Sequence, residues 1–281
     1  MGQRAKKNQT VWVFWNVLAT LKDLCWIPVL ALRAKSHVGF FHTRMKHPSR
    51  ILWFVRHGER VDNVDKAWKN TAERWDDPPL SPRGHQQARE VGNFLVSEAI
   101  DHVVCSPFTR CVETVTEILA VRKTSPPVWI EPGLGESLNV CMSPPGWPTM
   151  DKIKKMNPNV DDTYAPVFPV LPPETGGDSG CIPRVIKTLR TILAKYPTGN
   201  ILFVSHGSPT AACHLAICGS WKYVGQCTIG KVISESGNFK CEYFGYKEHL
   251  SDQTNLHENQ SVKRRCSKEQ IEEKMKVVNE Q

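Results

Sequence analysis

The chain has 281 residues, 40% of them hydrophobic and 23% charged, which is enough for one large domain or two small ones. Its net charge of +8 is concentrated at the N-terminus, because residues 1–58 contain ten lysines and arginines but a single acidic residue. The remainder is close to neutral, which argues against nucleic-acid binding by the folded part of the chain.

Ten cysteines are scattered along the chain without a Cys-x-x-Cys pair, so the sequence predicts no metal site. Scattered cysteines in apolar surroundings are typical of reduced packing residues, which favours a cytoplasmic protein. The spacing Cys-x5-Arg, which a cysteine-dependent phosphatase loop needs, is also absent from the sequence.

Residues 1–49 are interpreted as a basic and aromatic N-terminal arm. Within it, residues 11–32 are apolar, but the charged pair Lys22-Asp23 stands in the middle and disfavours a membrane-spanning helix. As a helix, this stretch would carry polar and apolar residues on opposite faces. Two interpretations stay open: a helix lying on an anionic, cytoplasmic membrane surface, and a helix docked on the protein's own core.

The apolar run at residues 51–55 predicts a short strand that is buried on both faces of a parallel sheet. The run leads directly into Arg56, His57 and Gly58. Polar residues at the carboxyl end of such a strand lie where open α/β sheets bind ligands. We therefore expect Arg56 and His57 at the ligand-binding edge.

Helix and strand signals alternate over residues 50–250, which predicts one α/β domain with helices on both faces of the sheet. Residues 140–175 interrupt this pattern with eight of the chain's twenty prolines, and we interpret them as a cap insertion over the pocket. Residues 251–281 form a charged C-terminal tail, predicted to be a solvated helix or tail over 258–281.

Predicted helices cover residues 81–97, 109–122, 182–196 and 208–218, and predicted strands cover 102–104, 128–130, 201–204, 227–233 and 239–246.

A second apolar strand also ends in His-Gly, at His206 and Gly207. Parallel strands deliver their ends to one edge of the sheet, so His57 and His206 are expected in one pocket. Arg110, about one helical turn beyond another strand end, joins Arg56 there, and guanidinium groups bind phosphate oxygens in a bidentate manner. The combination predicts a phosphate site in which an imidazole can attack phosphorus.

These motifs, in this order, resemble the histidine phosphatase (phosphoglycerate mutase-like) superfamily. The shared patterns are Arg56-His57-Gly58, Leu80-Ser81-x-x-Gly84, Ser106-Pro107-x-x-Arg110 and Ser205-His206-Gly207. The patterns Glu131-Pro132-Gly133-Leu134-Gly135-Glu136 and Asp162-Thr163-Tyr164 are similar to the phosphatase domain of the TULA/Sts proteins. The resemblance covers residues 50–246 and implies a three-layer α/β/α sandwich with a mostly parallel sheet.

The resemblance also implies site residues. His57 would attack phosphorus, His206 would donate to a phosphoryl oxygen, and Glu136 would protonate the leaving group. Glu59 is the rival acid, although we favour an arginine-pairing structural role for it. Positioning and charge suffice for phosphoryl transfer, so no metal and no cofactor are expected. Phosphate binding is implied for three arginines, Arg56, Arg60 and Arg110.

The expected function is metal-independent hydrolysis of phosphomonoesters, on phosphoproteins or other substrates, through a phosphohistidine. Gly207 argues against the acid-phosphatase branch, which has aspartate there. Ser137 replaces an aromatic residue of the TULA/Sts pattern, which keeps open a catalytically weak phospho-ligand-binding or scaffold protein. A phosphoglycerate mutase is a third hypothesis, which Arg60 and its neighbours disfavour. The sequence leaves the oligomeric state open, with a homodimer as one alternative.

Overall fold

A computed structural model describes residues 49–235, 237–261 and 264–280, and the predictions for the N-terminal arm concern residues outside these ranges. The strands are β1 (Arg50–Arg56), β2 (His102–Cys105), β3 (Val128–Ile130), β4 (Ile201–Ser205), β5 (Ile229–Glu235) and β6 (Asn238–Tyr246). They form one sheet in the order β3-β2-β4-β1-β5-β6. The first four in the chain are parallel, and β5 and β6 add an antiparallel edge, so the predicted mostly parallel sheet is confirmed.

Eight α-helices occur in the described residues, and none of them is long and apolar enough to cross a membrane. Ser81 caps the helix that begins at Pro82, because its hydroxyl accepts from the Gly84 amide at 3.0 Å and Pro82 takes the first helical position. The helices are α1 (Val61–Val64), α2 (Trp68–Thr71), α3 (Pro82–Phe94), α4 (Thr109–Ala120), α5 (Met150–Met156), α6 (Ile182–Lys195), α7 (Gly207–Cys218) and α8 (Lys268–Glu280).

Both faces of β1 are buried, as its uninterrupted apolar run predicts. Trp53 and Val55 pack in a core with residues of α3, α4 and α5, whereas Leu52 and Phe54 pack with residues of α6, α7 and α8. Successive side chains of a strand point to opposite faces, so one short strand supplies both cores. The result is the expected three-layer α/β/α sandwich.

The Pro-rich insertion at residues 140–175 contains a helix that the sequence analysis does not predict. This helix, α5, has one apolar residue with no exposed surface, Ile153, which packs in the core with α4. Four of its seven residues are charged and the flanking segments are rich in proline, so the local signals for a helix are weak. Contacts of Ile153 and Met156 with the core anchor the helix. The interpretation of the whole insertion as a cap stays a prediction.

The C-terminal segment also differs from the solvated helix or tail that its charge suggests. A helix does form there, α8, but Val278 is only 6% exposed, and Ile271 and Met275 pack against the same core. These three positions lie four and three residues apart, so they share one face of the helix and dock it beside α6. The many charged residues of α8 lie around this narrow apolar stripe.

Candidate active site

His57 follows β1 directly and is 1% exposed. Its Nδ1–H donates to the Gly58 carbonyl at 2.8 Å, which leaves the free lone pair on Nε2. Nε2 is buried without a hydrogen-bond partner among the described residues. Burial, and then the charges of Arg110, Arg56 and Arg60, hold the pKa of His57 well below its ordinary value of 6.5. At neutral pH the ring is therefore an uncharged imidazole with a nucleophilic nitrogen.

The backbone beside His57 packs against the start of α3 with no side chain between them. A Cβ at Gly58 would lie 2.6 Å from the Gly84 carbonyl oxygen, and a Cβ at Gly84 would lie 2.1 Å from the Glu59 carbonyl oxygen. Only glycine fits such a close approach. The contact explains why glycines of two separate sequence motifs are both needed, and it fixes the strand end that carries His57.

His206 lies at the junction of β4 and α7, and its ring centroid is 5.3 Å from that of His57. Its Nδ1 accepts from Arg110 Nε at 3.2 Å, so the ring proton is on Nε2, which donates to Ser106 Oγ at 2.7 Å. Burial, and then Arg110 and His57, lower the pKa of His206 well below 6.5. The two imidazoles that the sequence places at separate strand ends thus share one pocket, and both are neutral.

A thiol also reaches this pocket, since Cys111 Sγ lies 3.6 Å from His206 Nε2. Burial raises the pKa of Cys111 to about 12, so the thiol is protonated at neutral pH and is a poor nucleophile. Histidine is therefore a better nucleophile here than cysteine.

Two of the predicted phosphate-binding arginines are held by acidic or carbonyl partners. Arg110 is 1% exposed and donates from Nη1 to the Asp76 main-chain carbonyl at 3.0 Å. Arg60 forms a two-point ion pair with Asp62, at 2.8 and 3.0 Å. These contacts orient both guanidinium groups before a ligand binds, which is what electrostatic stabilisation of a phosphoryl group requires.

Arg56, the third predicted phosphate ligand, donates to the main-chain carbonyls of Val224 and His257 at 2.7 and 2.8 Å. Its guanidinium also lies over the ring of Tyr223, 4.9 Å from the centroid. The same tyrosine explains Gly207, because a Cβ there would lie 2.3 Å from the Tyr223 hydroxyl. An aspartate, which the acid-phosphatase branch has at this position, does not fit.

Glu136 lies on the loop after β3 and is 5% exposed. Its Oε2 is 4.0 Å from His206 Nδ1, and its Oε1 accepts from the Ser137 amide at 3.0 Å. Ser137 is buried, and its hydroxyl donates to the Asp178 carbonyl at 3.3 Å, so it supports the loop rather than facing the cavity. The predicted acid therefore lies beside His206, whose ring is in turn 5.3 Å from that of His57.

Arg184, on α6, supports the loop after β3 through hydrogen bonds to its main chain. The sequence does not predict this role. Its guanidinium donates to the main-chain carbonyls of Gly133, Gly135 and Glu136 at 2.8, 3.0 and 3.1 Å, and it pairs with Glu174 at 2.6 Å. Three of these four partners are main-chain carbonyls 48 to 51 residues away in sequence, so no local pattern indicates them.

Glu59, the rival acid, has a different environment from Glu136. Its carboxylate accepts from Ser81 Oγ at 2.7 Å and from Arg83 Nη1 at 2.8 Å, on the side of α3. These contacts agree with the arginine-pairing structural role that the sequence analysis favours for it.

A cavity of about 310 Å³ adjoins the candidate site on the side of Arg110 and Glu136. Arg60, Arg110 and Glu136 border it, and Trp75, which is 39% exposed, lies at its rim. This volume is at the lower end of the range for small-molecule sites and suits a phosphoryl group with a small leaving group. Arg264 borders the same cavity, although the charge of the C-terminal segment predicts a solvated tail there.

Among the described residues, one cluster has metal-ligand atoms within 4.8 Å of one another, formed by His214, Cys218 and Cys241. His214 and Cys218 lie in the C-terminal half of α7, whereas His206 stands before its first residue. A metal ion bound to this cluster would therefore lie outside the phosphate pocket.

The sequence profile of the histidine phosphatase superfamily (branch 1) matches residues 52–224. The chain belongs to the histidine phosphatase superfamily. The matched range begins in β1 and extends beyond α7, so it contains the two imidazoles, the candidate acid Glu136 and the three arginines. The superfamily to which the sequence motifs point is thus confirmed.

Curated relatives agree with the TULA/Sts resemblance. Human ubiquitin-associated and SH3 domain-containing protein A is 30% identical over 203 residues, which are 59% of this chain and 30% of that protein. Ecdysteroid-phosphate phosphatase of Drosophila melanogaster is 29% identical over 212 residues, which are 61% of this chain and 27% of that protein. The chain therefore spans less than a third of the length of these two relatives.

Solved structures show the same fold. The ecdysone phosphate phosphatase of Bombyx mori, determined with tungstate, has a TM-score of 0.56 and 23% identity, over 70% of this chain and 93% of that chain. Bacillus stearothermophilus YhfR has a TM-score of 0.52 and 21% identity, over 72% and 99% of the two chains. The phosphoglycerate mutase-like sandwich is therefore confirmed.

Proposed function

We propose that this protein is a metal-independent phosphomonoesterase that works through a phosphohistidine on His57. The observation that carries the proposal is the uncharged imidazole of His57 among three arginines, whose Nε2 has no hydrogen-bond partner in the part of the chain that the structure describes. The arginines attract a phosphate dianion and lower the pKa of the imidazole, so the nucleophile is free where the substrate binds. The substrates proposed are phosphomonoesters, of proteins or of small molecules, including the steroid phosphates that the names of the insect relatives suggest.

In the first step, Nε2 of His57 forms a bond to phosphorus while the bond from phosphorus to the leaving oxygen breaks. Glu136 gives its proton to that oxygen and releases an alcohol or phenol. Arg56, Arg60 and Arg110 neutralise the transferred phosphoryl group. The Nε2–H of His206 exchanges its hydrogen bond to Ser106 for one to a phosphoryl oxygen and keeps its proton throughout. In the second step, water loses a proton to the Glu136 carboxylate and attacks phosphorus, and the bond to His57 breaks.

The test is hydrolysis of phenyl phosphate with excess chelator by the wild type, by His57→Ala and by a matched control, His85→Ala. His85 lies on α3 and contacts Glu117. We expect the control to match the wild type, and His57→Ala to lose turnover and the acid-labile phosphoenzyme together.

Equal rates in all three proteins, or a requirement for added metal, would refute the proposal. Binding of phosphate analogues without a phosphoenzyme would favour the scaffold alternative, and activity with bisphosphoglycerate would favour a mutase.

The proposal extends to the organisation of the chain. We assign residues 50–250 to the catalytic domain, with residues 140–175 as its cap, and residues 1–49 to an arm that holds this domain at an anionic, cytoplasmic membrane surface. The charge distribution supports this assignment, since the arm carries the positive excess and the remainder is nearly neutral. A homodimer is compatible with this arrangement.

A further inference from the structure

Arg264 brings a cation from the C-terminal segment into the candidate active site. Its Nε donates to Asp178 Oδ1 at 2.9 Å, and its Nη2 lies 3.9 Å from Glu136 Oε1. Nη2 is buried and has no hydrogen-bond partner among the residues that the structure describes. Arg264 also borders the cavity that Arg60 and Arg110 border.

Among the described residues, Asp178 accepts the side-chain hydrogen bonds of Arg264, and both of them come from Nε. Asp178, which is 2% exposed, accepts from Arg264, from Ser208 Oγ at 2.8 Å, from Gln260 Nε2 at 2.6 Å and from Asn139 Nδ2 at 3.0 Å. This carboxylate joins the C-terminal segment to the loop after Glu136 and to the start of α7. Nη2 lies on the side of Glu136, and a buried donor on a charged group is costly without a hydrogen-bond partner.

We propose that Arg264 is a specificity-determining residue that binds an anionic group on the leaving-group side of the substrate. The inference rests on the proposed function, in which Glu136 protonates the leaving oxygen. An acid must come within about 3 Å of the oxygen that it protonates, so that oxygen lies beside Glu136. Arg264 Nη2 is 3.9 Å from the same carboxylate and therefore adjoins the leaving group.

The chemistry of the favoured substrate follows from this position. A carboxylate or a second phosphate near the ester oxygen accepts a charge-assisted hydrogen bond from Nη2. A neutral leaving group of the same shape accepts only a weaker hydrogen bond from it. Arg264 is therefore expected to make the enzyme discriminate between substrates by the charge of the leaving group rather than by its size. Arg110 and Arg60 do not provide it, because they are assigned to the phosphoryl group that both kinds of substrate share.

The experiment uses two substrates that differ in charge but not in shape, 3-carboxyphenyl phosphate and 3-carbamoylphenyl phosphate. For Arg264→Gln in the full chain, we expect kcat/KM to fall about tenfold on the carboxylate and less than twofold on the amide, which is the scale of one charged hydrogen bond. Arg264→Lys should recover part of the loss. The matched control is Arg265→Gln, because the neighbouring Arg265 is exposed and should leave both rates unchanged.

Equal losses on the two substrates would show that Arg264 only supports the fold, and no loss on either would show that it does not contact the leaving group; both results overturn the inference. Absence of His57-dependent turnover in the wild type would instead overturn the proposed function. In that case the corresponding aryl methylphosphonates are compared in calorimetric binding. Tighter binding of the carboxylate that disappears in Arg264→Gln supports the inference, and equal binding of the two refutes it.

Discussion

The charge state of His57 links its surroundings to its chemistry. Burial and three guanidinium groups all lower the pKa of this imidazole. The hydrogen bond to the Gly58 carbonyl raises the pKa and offsets them only in part. A protonated ring would have no lone pair on Nε2. The pocket that attracts a phosphate dianion therefore also keeps its nucleophile available.

We expect the assigned ring signal of His57, followed by ¹⁵N NMR, to stay that of a neutral imidazole as the pH falls through 6.5. The reason is that burial and the arginines lower its pKa, so the proton binds only at a lower pH. The loss of activity that reflects protonation of this nucleophile should also lie below pH 6.5. His57→Gln removes the signal and so checks its assignment. Half-protonation at or above pH 6.5 would contradict the electrostatic account.

At the scale of elements, the loop after β3 carries two glutamates with different roles. Glu131 supports the structure, whereas Glu136 is the candidate general acid. Glu131 has no exposed surface and accepts from the Gly133 amide, the Tyr164 hydroxyl and the Val167 amide, each at 2.7 Å. It therefore fixes the Pro-rich insertion to the loop. Glu136, five residues later, is left to border the cavity.

Replacing Arg184 by methionine should lower the free energy of unfolding by about 3–5 kcal/mol, because Glu174 and three carbonyls then lose a buried charged partner. Urea unfolding measures this change. Phosphatase activity should fall as well, since the loop that carries Glu136 loses its support. The matched control is Arg190→Met on the exposed face of α6, expected to change stability by less than about 0.5 kcal/mol. Equal stabilities of the two variants would show that Arg184 does not hold the loop.

At the scale of the whole molecule, the charge-rich N-terminal residues and the catalytic domain are expected to be separable. Deletion of residues 1–49 should keep phosphatase activity in solution and abolish binding to anionic vesicles, because β1 begins only at Arg50. Binding of the full-length chain should weaken with salt, since charges are screened over about 10 Å at 0.1 M. Cosedimentation with vesicles of anionic and of neutral lipid measures both effects. Unfolding of the shortened chain, or binding that ignores lipid charge, would contradict the proposed role.

The sequence predicted the sheet and the strand ends because both depend on local signals. The apolar run before His57 and its counterpart before His206 indicate buried parallel strands, and these bring the two rings to 5.3 Å. Arg184, Asp178 and Arg264 could not be predicted in the same way. Arg264 and Asp178 are 86 residues apart, and Arg184 binds mainly to carbonyls, which every residue has. Such contacts follow from the fold and leave no pattern in the sequence.

The position of β1 in the sheet has a consequence for synthesis on the ribosome. This apolar strand is among the first described residues to emerge, yet its two neighbours are β4 and β5, which begin at Ile201 and Ile229. At translation rates of about 5–20 residues per second, the strand waits on the order of ten seconds with both edges unpaired. The unpaired backbone groups of an apolar edge strand readily form hydrogen bonds with strands of other chains, which leads to aggregation. We therefore expect the nascent protein to depend on a chaperone until the second half of the chain has emerged.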